Sequence, residues 1–197
     1  MASAQERPGP ARERLLDAAA RLFYAHGMVS TGIDTITAEA GVAKKSLYNN
    51  FSSKEELMLA YIEARHAEWL DLYRARAGAA ATPREGVLAV FDAYIDHAEA
   101  GYVHGFRGCG LLNAAAELPA GSAGREAVRR HKEQVESILA AHLAGIASPQ
   151  KAARTAEHCA FLLEGAMARA GLEGGPDRLA HARQLATALV ETLVEAP

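Results

Sequence analysis

The sequence predicts an all-α protein, and three observations carry that reading. Apolar residues recur at intervals of three and four along almost every segment. Valine and isoleucine are scattered, with no run of four to eight β-branched residues between turns. Residues suited to starting and stopping helices stand at the ends of the periodic stretches. The 197 residues are half hydrophobic, enough to bury a sizeable core, and carry a formal net charge of −3. That charge excludes a protein coated in basic residues but not one with a small basic patch.

About nine helices are expected. Leu15, Ala19, Leu22 and Phe23 stripe a first helix from about Ala11 to His26, with Gly27 suited to cap it. A short second helix spans about Ile33 to Ala40. Gly41 then offers the positive φ that a sharp turn needs. The stretch GVAKKSLYNNF supplies a third helix. Ser53 and Glu56 form a Ser-x-x-Glu capping box that opens a fourth, reaching roughly Ala77. Pro83 stands near the start of a fifth, which ends near Gly101. HGFRGCG breaks the chain before a short sixth helix in CGLLNAAAEL. Arg125 to Leu143 makes a seventh, and Ser148 or Pro149 starts an eighth that runs to Ala170. The last helix runs from Asp177 to Val194, with Pro176 placed at its first turn. Residues 1–10 read as a disordered arm.

The third helix carries the chemistry. At about 100° per residue, Leu47 and Phe51 share one side while Lys45 and Asn49 fall nearly opposite, one turn apart. Lys44 and Tyr48 edge that polar face, and Ser46 lies on its other flank. Lysine can donate to guanine and asparagine can pair bidentately with adenine. Tyrosine and lysine can reach phosphates from the edge. Between Gly41 and Lys54 there are three positive charges and no negative one. Any exposed amphipathic helix carries such residues. The context, a helix, a glycine turn and a helix polar on its outer face, is that of a helix-turn-helix.

On LLDAAARLFYAHG, the run TGIDTITAEAGV and SLYNNFSSKEEL, the stretch from about Arg12 to Tyr61 resembles the DNA-binding region of the tetracycline-repressor (TetR) family of transcriptional regulators. The spacing GV-x(4)-LY-x(2)-F-x(2)-K-x(2)-L carries most of the resemblance. It implies a DNA-binding domain over residues 11–56 and a ligand-binding and dimerisation domain over 57–197. It also implies that Lys44, Lys45 and Asn49 touch bases or nearby phosphates, that Ser46, Tyr48 and Asn50 grip the backbone, and that Lys54 meets a phosphate. Three departures stand out. Ala43 replaces a common serine or threonine and removes an N-cap worth about 1 kcal/mol. Gly32 and Thr37 are unusual, leaving Thr31 as cap and phosphate contact. Asp34 would repel a phosphate that came close.

The C-terminal part reads as a pairing surface and a pocket. Ala156, Ala160, Leu163, Met167 and Ala170 stripe the eighth helix, and Leu179, Ala182, Ala186, Leu189 and Leu193 the ninth. Such narrow stripes suit a four-helix interface between two copies, or the chain's own core. A symmetric dimer would read two half-sites of a pseudo-palindrome in double-stranded DNA. Trp69, Phe91, Tyr94, Phe106, Cys109 and Phe161 either line a pocket for a small-molecule effector or are simply core. Asn113, inside the apolar run LLNAAA, is either an internal hydrogen-bonding residue or a polar group of that pocket. The resemblance implies a repressor released by that effector.

Other classes find little support. Glu63 and His66 form a Glu-x-x-His, half of a di-iron bundle motif, but no second copy exists. No metalloprotease, P-loop or nucleophile-elbow motif occurs, so neither catalysis nor a cofactor is expected. Cys109 and Cys159 make neither a disulfide framework nor a zinc set. Cys109 at a helix start leaves redox sensing open beside an inert role. No apolar run approaches membrane-spanning length and the start lacks a signal-peptide core, so a cytoplasmic protein without membrane contact is expected.

Overall fold

Helix starts and stops follow local side-chain chemistry. The computed structural model describes residues 9–195, so most of the expected N-terminal arm lies outside the described residues. Among the described residues the chain forms nine α-helices and no strand: α1 (Pro10–His26), α2 (Ile33–Ala40), α3 (Lys44–Asn50), α4 (Lys54–Ala77), α5 (Pro83–Glu99), α6 (Gly110–Glu117), α7 (Ala123–Leu143), α8 (Pro149–Glu173) and α9 (Asp177–Glu195). Gly41 ends α2 at φ 62°, ψ 39°, a left-handed conformation that costs glycine little. Thr82 and Glu85 close a full capping box on α5, and Ser148 caps α8, each with proline in the first turn.

Two boundaries differ from the sequence reading. α8 runs past Ala170 to Glu173 and is capped by Gly174, φ 77°. Gly171 does not break it. A Cβ there would lie 2.6 Å from the Gly108 backbone nitrogen, so this glycine permits a close backbone approach inside a helix. α7 begins two residues early because the Ser122 carbonyl already accepts the Glu126 N–H.

The chain divides into two compact units. The first reaches to Ala64 and takes in Leu112–Ala127; the second comprises Arg65–Leu111 and resumes at Val128. The first stretch of the first unit ends within α4, at Ala64, eight residues beyond the expected domain boundary at 56–57, which also falls in α4; most of α6 belongs to the first unit.

In the first unit α1, α2 and α3 pack against one another. Leu15, Ala18, Phe23, Ile36, Leu47 and Phe51 make its core, and the Phe23 ring meets Tyr61 edge-on at 5.4 Å. The Arg12 guanidinium sits 4.9 Å over the Phe51 ring, a cation–π contact. Glu117 accepts from the backbone N–H groups of Met28 (3.0 Å) and Val29 (2.8 Å), holding the turn after α1.

In the second unit α5 is buried on most of its faces and packs on α8 and α9, which pack on each other. Arg183 on α9 grips Asp92 on α5 with two hydrogen bonds, 2.6 and 3.2 Å. This packing takes up much of the expected pairing stripe within the chain itself. Ala156, Leu163, Met167, Leu179, Ala182 and Ala186 are buried within the single chain; Ala160, Leu189 and Leu193 are half-buried at its edge. Small residues at helical spacing served the contacts between α8, α9 and α5, and the period does not say which neighbour they face. The apolar residues left outside are others: Phe161 is 65% exposed and Leu185 42%. With Leu162, Ala188, Leu189 and Thr192 they line an open groove between α8 and α9.

Candidate nucleic-acid interface

The outer face of α3 is built by what its inner face must bury. Leu47 is fully buried, Phe51 is 1% exposed at the helix end, and α3 sits against α1 and α2. That leaves Lys45, Tyr48 and Asn49 exposed, with Lys44 beside them. No acid pairs with Lys45 among the described residues. The turn before α3 is closed by two bonds from backbone N–H groups, Gly41 to the Ala38 carbonyl (3.2 Å) and Val42 to that of Thr37 (3.0 Å).

The remaining predicted residues sit less freely. Lys44 pairs with Asp34 at 2.8 Å, which holds the lysine pKa above its ordinary value through that hydrogen bond and its charge. Asp34 thus meets a cation on its own chain and partly cancels it. Ser46 is half-buried, and its carbonyl accepts a 2.7 Å bond from the Asn50 amide, so Asn50 spends a donor locally. Lys54 donates to the Val29 carbonyl at 3.1 Å.

Thr31 does not cap α2. It is 4% exposed and donates to the Gly27 carbonyl at 2.6 Å, so its hydroxyl faces the end of α1. The N-cap of α2 is Gly32, without a side-chain cap. The start of α4 also differs from expectation. Ser53 accepts from the Glu56 N–H (3.1 Å) as the capping box requires, but the Glu56 carboxylate accepts from the Ser52 N–H (2.7 Å). The Ser52 hydroxyl and N–H lower the Glu56 pKa, and Glu55's own N–H, then Ser53, lowers that of Glu55. Two carboxylates already answer this helix terminus and would repel an incoming phosphate.

The predicted pocket residues separate into groups. Trp69, Phe91, Tyr94, Phe106 and Cys109 are buried in the second unit, where the Trp69 and Tyr94 rings lie 5.2 Å apart. Asn113 is exposed on the part of α6 that belongs to the first unit, and Phe161 lines the outer groove of α8 and α9. The sequence marks His97 and His131 only as solvated or core histidines, and Lys132 and Glu164 were not singled out. A signal existed: His131 and Lys132 interrupt the stripe Val128, Val135, Leu139 at positions where an apolar residue belongs. His66 shares a 2.8 Å hydrogen bond between ring nitrogens with His131. No group of three or more metal-ligating side chains occurs among the described residues, and no described helix is long and apolar enough to cross a membrane.

Comparison with known proteins points the same way. The family model described as "Bacterial regulatory proteins, tetR family" matches residues 15–61. The chain is similar to SCO4454, a TetR-family transcriptional regulator from Streptomyces coelicolor, with a TM-score of 0.85 and 32% identity, covering 94% of this chain and 97% of that one. It is 38% identical over 96 residues to the HTH-type transcriptional activator FasR of Mycolicibacterium smegmatis, and spans only 43% of that relative's length. It is 28% identical over 183 residues to the HTH-type transcriptional regulator BetI of Agrobacterium fabrum, spanning 83% of its length.

Proposed function

We propose, from the premise that this chain belongs to the TetR family of transcriptional regulators, that it binds a pseudo-palindromic operator as a homodimer and is a repressor released by a small molecule. The observation that carries the reading is the outer face of α3, where Lys45 and Asn49 stand one turn apart behind the Gly41 turn. A lysine and an asparagine in that register fit adjacent base edges of a major groove, with Tyr48 and Lys44 at phosphate reach. The protein works in the cytoplasm, where its DNA is.

The groove between α8 and α9 supports the dimer. It is apolar and continuous with helices that lie side by side, and a two-fold pairing would cover Phe161 and Leu185 of both copies. Release then requires the effector to bind one arrangement of the two reading helices better than the other, by a few kcal/mol for a useful switch. Oxidation of Cys109 is the second reading. Its Sγ lies 3.7 Å from the Lys132 ammonium, but the residue is 8% exposed, which withholds it from an oxidant.

Selection of bound duplexes from a randomised DNA library at near-physiological salt tests the reading. The expected product is an inverted repeat. Folded protein that enriches nothing, or enriches a single unrepeated site, contradicts it. Phe161→Glu, which places a charge on each side of the groove, should sediment as a monomer and bind the selected duplex more weakly; an unchanged dimer would place the pairing surface elsewhere.

A further inference from the structure

The interior of the second unit holds a concentration of polar groups that a structural core does not need. The Lys132 ammonium on α7 meets the Glu164 carboxylate on α8 at 2.8 Å and lies 5.6 Å over the Tyr94 ring. Tyr94 packs on Trp69, and Trp69 meets the His131 ring edge-on at 5.3 Å. In this linked set three buried polar atoms lack a hydrogen bond of normal length: the Trp69 indole Nε1, Oε2 of Glu164, and the Tyr94 hydroxyl, on which only the Lys132 ammonium acts, from farther off. Trp69 and Tyr94 are 4% and 2% exposed, so water does not serve them as it serves a surface group. Orphaned buried groups are destabilising, and three around one ion pair is a pattern that a bound molecule would resolve.

The charges decide what kind of molecule. Lys132 is held charged: burial opposes the ammonium, but the Glu164 carboxylate outweighs it through its charge and its hydrogen bond. Glu164 balances that charge directly, and the nearby Arg65 guanidinium is paired with Glu68 at 2.7 Å. The imidazoles add no charge at neutral pH, since burial pushes His97 down to about 4 and His131 down to about 3. A ligand with a net charge of either sign would therefore leave one uncompensated charge in a poorly hydrated interior. The orphans instead ask for complementary neutral dipoles. An indole N–H and a phenol O–H can donate, and a carboxylate oxygen can accept. The side chains of Lys132 and Glu164, 20% and 36% exposed, give the set an open side.

We infer that the second unit holds an effector site for an uncharged molecule that pairs a carbonyl-type acceptor with a hydroxyl donor on an aromatic or otherwise apolar frame. Its acceptor meets Trp69 Nε1 and the Tyr94 hydroxyl, and its hydroxyl donates to Glu164 Oε2. The inference rests on the ligand-released reading above and names its ligand class.

The chain has a single tryptophan, so a nitrogen-15-labelled sample shows one indole N–H resonance, and that atom is part of the proposed site. Three probes of matched shape are titrated into the full chain without DNA: para-hydroxyacetophenone (neutral), para-hydroxybenzoate (anionic) and tyramine (cationic). The neutral probe should move the indole resonance saturably, and the charged ones should not. Tyr94→Phe removes an orphaned hydroxyl and keeps the ring. It should therefore melt no lower than the parent, while binding the neutral probe about tenfold more weakly for want of one hydrogen bond. A neutral probe that leaves the resonance still, charged probes that bind equally well, or a Tyr94→Phe variant that binds as tightly would each overturn the inference. A chain that selects an operator yet ignores the neutral probe loses this inference alone; one that binds the probe but selects no duplex loses the operator reading alone.

Discussion

His131 and His97 are kept neutral inside the second unit, and that has a consequence for acid stability. In the unfolded chain each imidazole titrates near its ordinary value, about 6.5. In the fold burial holds them near 3 and 4. Between those values the unfolded chain binds more protons, so stability is complete above about pH 6.5 and is lost as the pH falls toward the folded values. Each group removes about 1.4 kcal/mol per pH unit within that window. Urea midpoints measured from about pH 7.5 to 4.5 should fall steeply, and His131→Gln should make the slope shallower by about one proton. A flat profile would mean that these rings are hydrated in solution. At this scale the outer face of α3 was legible in the sequence: Lys45, Tyr48 and Asn49 are exposed as the helical wheel places them. Thr31 was not, because its hydroxyl is used by a carbonyl at the end of α1, a partner that only the turn geometry supplies. The 2.8 Å pairing of Lys44 with Asp34 was equally hidden, since it joins different helices.

At the scale of helices, α8 shows how a residue with poor helix propensity can be required. Gly171→Ala would gain about 1 kcal/mol of intrinsic propensity. Against that, the new Cβ would stand 2.6 Å from the Gly108 nitrogen and 2.9 Å from the Arg107 carbonyl carbon, backbone atoms that cannot swing aside. Overpacking of this kind costs about 1–3 kcal/mol, so the variant should be net destabilised, by up to about 2 kcal/mol, in chemical denaturation. A gain in stability would show that the loop carrying Gly108 shifts freely. The starts of the helices were readable to within about three residues, and most closely where a cap or a proline acts locally, as at α5 and α8. The end of α8 was not, because Gly171 looks like a stop until the chain that packs against it is known. The same limit explains the pairing stripe. Ala156, Leu163 and Met167 announce a helix contact, but not that the contact lies within the chain, while Phe161 announces nothing until its exposure is seen.

For the whole molecule, the fold and the family were legible because both rest on spacing: nine periodic stretches, and a motif confined to about a quarter of the chain. The division into units was only partly so. α6 follows α5 in the chain, yet from Leu112 it belongs to the first unit, and Glu117 ties it to the turn after α1 through Met28 and Val29. Contacts between residues nearly ninety positions apart have no periodic signature. The interior polar set was legible only as a flaw, in the two polar residues that interrupt the apolar stripe of α7.

The account stands or falls on base reading by α3 in two symmetric copies. The most direct measurement is the affinity of the parent and of Asn49→Ala for every single-base variant of the selected operator. The account predicts a loss of about 1–3 kcal/mol that vanishes when one particular base pair is already changed, and that appears at two positions related by the two-fold axis. An equal loss on every duplex would make Asn49 a backbone contact, and no loss on any would remove α3 from the reading of DNA altogether.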